Sequence, residues 1–213
     1  MTTSWIILTA VVVAGCVLAE VDICPSWQMN PPARKRILAR HNELRGSISK
    51  GLTEKNGKYG IAPPTGMMNQ LQYNCDAESY AQQHANTCDG KEQPASGHYG
   101  YKENIYIDRN TAATKEESAD RAMDSWWGEL SSKGIRTDML FTKAAYKTGI
   151  QHFTKMAWDN NVYIGCAVAH CNSFNFVVCM YSPGGNTIGE RVYKVGAVCS
   201  GCPNSCTGGL CFA

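Results

Sequence analysis

The chain has 213 residues, 18% of them charged, with a formal net charge of +2. That balance removes the electrostatic case for a nucleic-acid partner or an anionic membrane surface. Its 11 cysteines point to an oxidising compartment, and the length suits one domain with a sizeable core.

Residues 1–19 carry no Lys, Arg, Asp or Glu, and Trp5 to Ala14 form an apolar run. That run has signal-peptide length and is too short to span a bilayer. Val17-Leu18-Ala19 then offers small residues where a signal peptidase needs them, with Glu20 next. The stretch reads as a cleaved secretory signal. Val13-Ala14-Gly15-Cys16 also looks like a bacterial lipidation box, but no positive charge precedes it. No later segment is long and apolar enough to be transmembrane.

With Cys16 inside the signal, Cys24, Cys75, Cys88, Cys166, Cys171, Cys179, Cys199, Cys202, Cys206 and Cys211 remain. An even count in a secreted chain predicts disulfides. A zinc ribbon at Cys199, Cys202, Cys206 and Cys211 is the alternative, disfavoured by the short gap between its pairs. No Asn-x-Ser/Thr sequon is present, so no N-glycan is implied.

Residues 20–32 read as an irregular lead-in. Ala33, Ile37, His41, Leu44 and Ile48 then recur at helical spacing, with Arg and Lys between them. On that core-facing stripe His41 is expected to be a satisfied core residue. Residues 49–66 read as a surface loop ending in Pro63-Pro64-Thr65-Gly66. A second helix is expected from about Asp76 to Thr87, stacking Ala77, Ala81 and Ala85 on one face and leaving His84 on its surface. A Gly/Tyr-rich loop follows at 89–102, then a strand at Glu103 to Ile107. Thr114 and Glu117 form a capping-box signature for a helix carrying Trp126, Trp127 and Leu130 and stopping near Gly134. His152 to Trp158 reads as a short helix. Val162–His170 and Phe174–Tyr181 read as an antiparallel hairpin, with His170 at a strand end beside Cys171. Helices first and strands late give the class α+β, a three-layer α-β-α sandwich. Residues 199–213 read as a small disulfide-rich C-terminal extension without its own core.

Five segments now stand in order: His41-Asn42-Glu43-Leu44-Arg45, Glu103-Asn104-Ile105, Trp126-Trp127-Gly128-Glu129-Leu130, His152 to Trp158, and Cys179 to Asn186. Together they resemble the CAP (SCP/TAPS) superfamily, over about residues 33–198. The first loop and Cys-rich tail look most like the activation-associated secreted, or venom-allergen-like, proteins of parasitic nematodes. The resemblance implies an α-β-α sandwich, secretion, and a cleft lined by two His and two Glu that hold a divalent metal in some members. His152 matches one imidazole, and Glu103 and Glu129 match the carboxylates. His98 is the candidate for the other imidazole. The family's His-Ser is replaced here by Asp89-Gly90-Lys91-Glu92-Gln93. Lys102 before Glu103, Gln151 before His152 and Met180 after Cys179 are further departures.

Imidazole and carboxylate donors suit Zn²⁺, so His98, Glu103, Glu129 and His152 are the candidate ligands. A buried polar network that pins helices to sheet is the competing reading of the same four groups. Glu103, Glu129 and His152 are also the candidates for any general base, but there is no Ser or Cys nucleophile motif and no H-E-x-x-H helix. Whether the chain is an enzyme stays open, with a non-enzyme favoured. The family's sterol-associated stretch corresponds to Met67, Met68, Leu71 and Tyr73, an adaptable apolar set or ordinary packing under a loop. By analogy Cys166 pairs with Cys179, Cys75 with Cys171 and Cys24 with Cys88, with two bridges in the tail. The resemblance implies a secreted effector that binds a sterol, a fatty acid or a host protein, with immune modulation as the outcome. A metal-dependent hydrolase and a scaffold presenting loops are the alternatives.

Overall fold

The computed structural model describes residues 24–25, 29–98 and 100–212. The expected signal peptide, and most of the lead-in ahead of Met29, lie outside the described residues.

Helix α1 spans Pro31–Lys50. Asn30 caps it by accepting from the Ala33 amide, prolines fill its first turn, and Gly51 ends it in the left-handed conformation. Strand β1 is Gln72–Tyr73, and helix α2, capped by Asn74, is Cys75–Ala85. Strand β2 covers Lys102–Asp108. Helix α3 covers Lys115–Lys133, and both halves of the Thr114–Glu117 capping box form. Two short helices follow, α4 at Lys143–Lys147 and α5 at Gln151–Met156. Strands β3 (Tyr163–His170) and β4 (Asn175–Ser182) make the hairpin, and β5 (Cys206–Thr207) and β6 (Leu210–Cys211) a small ribbon in the tail.

The main sheet has the order β1-β3-β4-β2. Its one parallel pair is β1 with β3; β3–β4 and β4–β2 are antiparallel. Helices flank this mixed sheet, in keeping with the expected α+β class. Helix α2 lies against β3 at Gly165, where a Cβ would stand 2.2 Å from the Glu78 nitrogen. Only glycine permits that approach. Residue alternation along β2 and β4 sends Glu103, Met180 and Phe176 toward α2. Asn104 and Tyr181 point the other way: Asn104 donates to the His152 carbonyl, and Tyr181 meets His41 of α1.

The disulfides among the described residues are Cys24–Cys75, Cys88–Cys171, Cys166–Cys179, Cys199–Cys206 and Cys202–Cys211. Cys166–Cys179 joins directly opposed residues of the hairpin, as the analogy has it, and the tail holds two bridges. The expected Cys75–Cys171 and Cys24–Cys88 pairs are corrected: their partners are exchanged. Cys75 opens α2 and meets the segment before α1, whereas Cys88, beyond the end of α2, reaches the β3–β4 turn. The tail docks on the domain through Leu210, which is buried, and through backbone bonds joining Cys211 to Met68 and Gln70.

Candidate functional site

The His41-to-Arg45 segment is structural. His41 is fully buried; its Nδ1 lies 2.9 Å from the Ile37 carbonyl and its Nε2 2.8 Å from the Tyr181 hydroxyl. A carbonyl can only accept, so Nδ1 carries the proton and Nε2 accepts from Tyr181. Burial holds this imidazole at about 4, well below the usual histidine range. Asn42 clasps Leu71 by donating to its carbonyl and accepting from its amide, at 2.9 and 2.8 Å. Arg45 is buried and donates to the carbonyls of Asn69, Met156 and Trp158. It therefore ties α1 to the C-terminal end of α5, the helix that carries the cleft residues.

Those residues form two pairs. On one side, His84 Nδ1 lies 2.7 Å from Glu103 Oε2, and His84 Nε2 lies 3.2 Å from Asp89. The other Glu103 oxygen accepts from the Gln93 amide, which folds the 89–98 loop over the pair. The expectation of a surface His84 is thus corrected. The imidazole lies on the same buried face as Ala77 and Ala81, with its ring edge-on to Phe176. On the other side, His152 Nδ1 lies 2.7 Å from Glu129 Oε1, while Glu129 Oε2 accepts the amides of His152 and Phe153. Acceptance of those amides at the start of α5 is a carboxylate cap on a helix N-terminus. The Trp126 indole stacks on the His152 ring at 6.2 Å and 10°. His152 Nε2 is 3.5 Å from Glu92. Burial disfavours the charged imidazole, but the carboxylates of Glu129 and Glu92 outweigh it and hold His152 above the ordinary histidine range.

His98 does not join either pair. It is buried, with Nε2 3.1 Å from the Gln93 side-chain oxygen and its ring edge-on to Tyr80; Nδ1 has no protein partner. Glu103, Glu129 and His152 surround the cleft, but Glu103 points toward α2 while Glu129 and His152 lie with α3 and α5.

The structure adds Lys155, Glu92 and His84 to the cleft. Lys155 stands three residues after His152 on α5, so both side chains share one helix face. It is buried and donates to the main-chain carbonyl of Glu103 on the edge strand β2. Burial lowers its ammonium to about 8, against the pull of Glu92 and Glu103. A cavity of about 310 Å³ opens there, lined by Glu92, Lys102, Glu103, Gln151, Lys155 and Asn186 among others.

The matching family model is CAP, the cysteine-rich secretory protein family, over residues 38–181. The chain belongs to the CAP family. It is 38% identical over 198 residues to an Ancylostoma secreted protein of Ancylostoma caninum, covering 89% of this chain and 46% of that protein. It therefore spans less than half of that relative's length. It is 29% identical to venom allergen 5.01 of Dolichovespula maculata, covering 81% of this chain and 77% of the relative. Among solved structures it superposes on NaASP2 crystallised with Zn²⁺ at a TM-score of 0.85. That structure is 35% identical and is matched over 88% of this chain and 99% of the other. Relatives of this CAP chain are secreted proteins, and multiple disulfides suit the same compartment.

Whether the cleft fits a metal is decided by its donors. Among the described residues, the only group of three or more potential ligand atoms close enough for one ion is Cys199, Cys202 and Cys206. Those sulfurs are held in disulfides. In the cleft, both His84 nitrogens and the Nδ1 of His152 face carboxylates, Glu129 caps α5, and an ammonium stands beside Glu103. As arranged, these residues do not fit a tightly held divalent ion, which needs several converging free donors.

The apolar candidates are mostly internal. Met68 and Leu71 are buried, and Tyr73 is buried with its hydroxyl on Glu78, itself paired with Arg34. Met67 is 43% exposed. No helix among the described residues is long and apolar enough to cross a membrane.

Proposed function

We propose that this chain is a secreted, non-catalytic CAP protein that binds a host protein through the loops bordering the cleft, with immune modulation as the outcome. One observation carries the reading: the cleft imidazoles and carboxylates are engaged with one another. A general base must be free to reach a substrate proton. Glu129 instead accepts three hydrogen bonds from α5, and Glu103 accepts from His84 and Gln93. The pairs therefore serve best as framework that fixes the 89–98 loop and α5.

Two other readings are weaker. Sterol or fatty-acid binding at Met67, Met68, Leu71 and Tyr73 has surface support from Met67 alone. A zinc-dependent hydrolase using His98, Glu103, Glu129 and His152 would require His98 to leave Gln93 and both carboxylates to release their partners.

The experiment compares binding of labelled protein to host cells, before and after protease treatment of the cells, with titration of cholesterol- and fatty-acid-containing vesicles. Saturable, protease-sensitive cell binding that His152→Gln leaves unchanged is expected. Saturable binding to vesicles in place of cells, or loss of cell binding in a folded His152→Gln protein, contradicts the proposal.

A further inference from the structure

We infer that Lys155 is a tethered cation standing at the cavity bordered by Glu92 and Glu103 in place of a divalent metal ion, so that the cleft excludes zinc until this side chain is removed. This is independent of what the protein binds on cells.

Four observations converge on it. The ammonium lines the same 310 Å³ cavity as Glu92 and Glu103, and Glu129 is near enough to act on its charge; Lys102 borders the cavity too, with its ammonium turned onto the Gly185 carbonyl. A buried cation needs a compensating acceptor, and Lys155 has one in the Glu103 main-chain carbonyl. Its backbone is fixed as well. The Lys155 carbonyl accepts from Asn161 at 2.8 Å, and the neighbouring Thr154 hydroxyl donates to Asn186 at 2.7 Å. Both bonds hold in place the stretch of α5 that carries the ammonium. Finally, the Nε2 of His152 and the carboxylate of Glu92 face each other at 3.5 Å, a separation two ligands of one ion can adopt. Glu92 lines the same cavity as the ammonium, whose charge repels a metal ion placed there. NaASP2, 35% identical, was crystallised with Zn²⁺, which makes zinc the probe to use.

The test is calorimetric titration of Zn²⁺ into wild type, Lys155→Gln and Lys155→Met, with circular dichroism to confirm folding. Glutamine keeps a donor for the Glu103 carbonyl and removes the charge. Trp126, stacked on His152, supplies an intrinsic fluorescence readout that needs no variant. The expected result is no saturable cleft binding by wild type, with at least a tenfold gain in affinity for the variants. The gain should disappear when His152→Gln is added to Lys155→Gln. One-to-one zinc binding by wild type that depends on His152 overturns the inference. Failure of folded Lys155→Gln and Lys155→Met to gain zinc overturns it equally, because something other than the ammonium then keeps the ion out.

Discussion

The two imidazole–carboxylate pairs have the same contact distance and different surroundings. His84 and Glu103 meet at 2.7 Å with side chains 1% and 4% exposed, and His152 and Glu129 meet at 2.7 Å with side chains 26% and 11% exposed. In the sealed pair every partner is protein, so a deletion strands a buried charge. In the open pair water from the cavity can replace a lost partner. The same pairing therefore acts as sealed framework on one side and as water-accessible framework on the other, and exposure separates the two.

The largest effect should come from breaking the sealed pair. His84→Ala leaves the Glu103 carboxylate buried without its imidazole and opens a void beside Phe176, a loss of about 3 kcal/mol. Urea denaturation measures it; a loss equal to that of His152→Gln would erase the distinction between the pairs.

His41 adds a third imidazole, wholly buried and away from any carboxylate. Its pKa in the fold, about 4, lies below the usual 6.5, so the unfolded chain binds the proton more readily. Stability is then present above 6.5 and is lost as pH falls toward 4, by about 3 kcal/mol. Replacement by Gln should flatten that part of the pH profile, whatever it does to stability at neutral pH.

For His152 the sign reverses. Its raised pKa means its charge-dependent contribution is fully present below the unfolded value. The contribution is lost as pH rises through the folded one. His152→Gln should cost about 1 kcal/mol at low pH and less above that range, read from melting curves at several pH values. The exposed Arg36–Asp120 contact marks the other end of the scale: Arg36→Ala should leave the denaturation midpoint where it is.

Much of the fold could be read from local chemistry. The capping box at Thr114, the apolar stripe of α1 and the paired β-rich runs around Cys171 each encode structure within a few residues. The site was legible only in part. Glu103, Glu129 and His152 stood in quotable motifs, but His84 was hidden inside an alanine stripe. The signal was there: His84 falls three residues after Ala81 and seven after Ala77, on the face that packs on the sheet. Lys155, one helical turn beyond His152, carries no signal of its own in the sequence, because a lysine in a short helix ordinarily reaches solvent. The exchanged disulfides of Cys75 and Cys88 show a different limit. Which end of α2 faces which neighbour is a three-dimensional fact that spacing does not carry.

The cleft's donors are engaged in pairs of their own, and its own cation stands beside Glu103. Crystals of the wild-type protein soaked in Zn²⁺ and measured at the zinc absorption edge test it most directly. No anomalous peak is expected between His152 and the carboxylates of Glu92 and Glu103, with Lys155 still on the Glu103 carbonyl. A peak there, with Lys155 displaced, would contradict it.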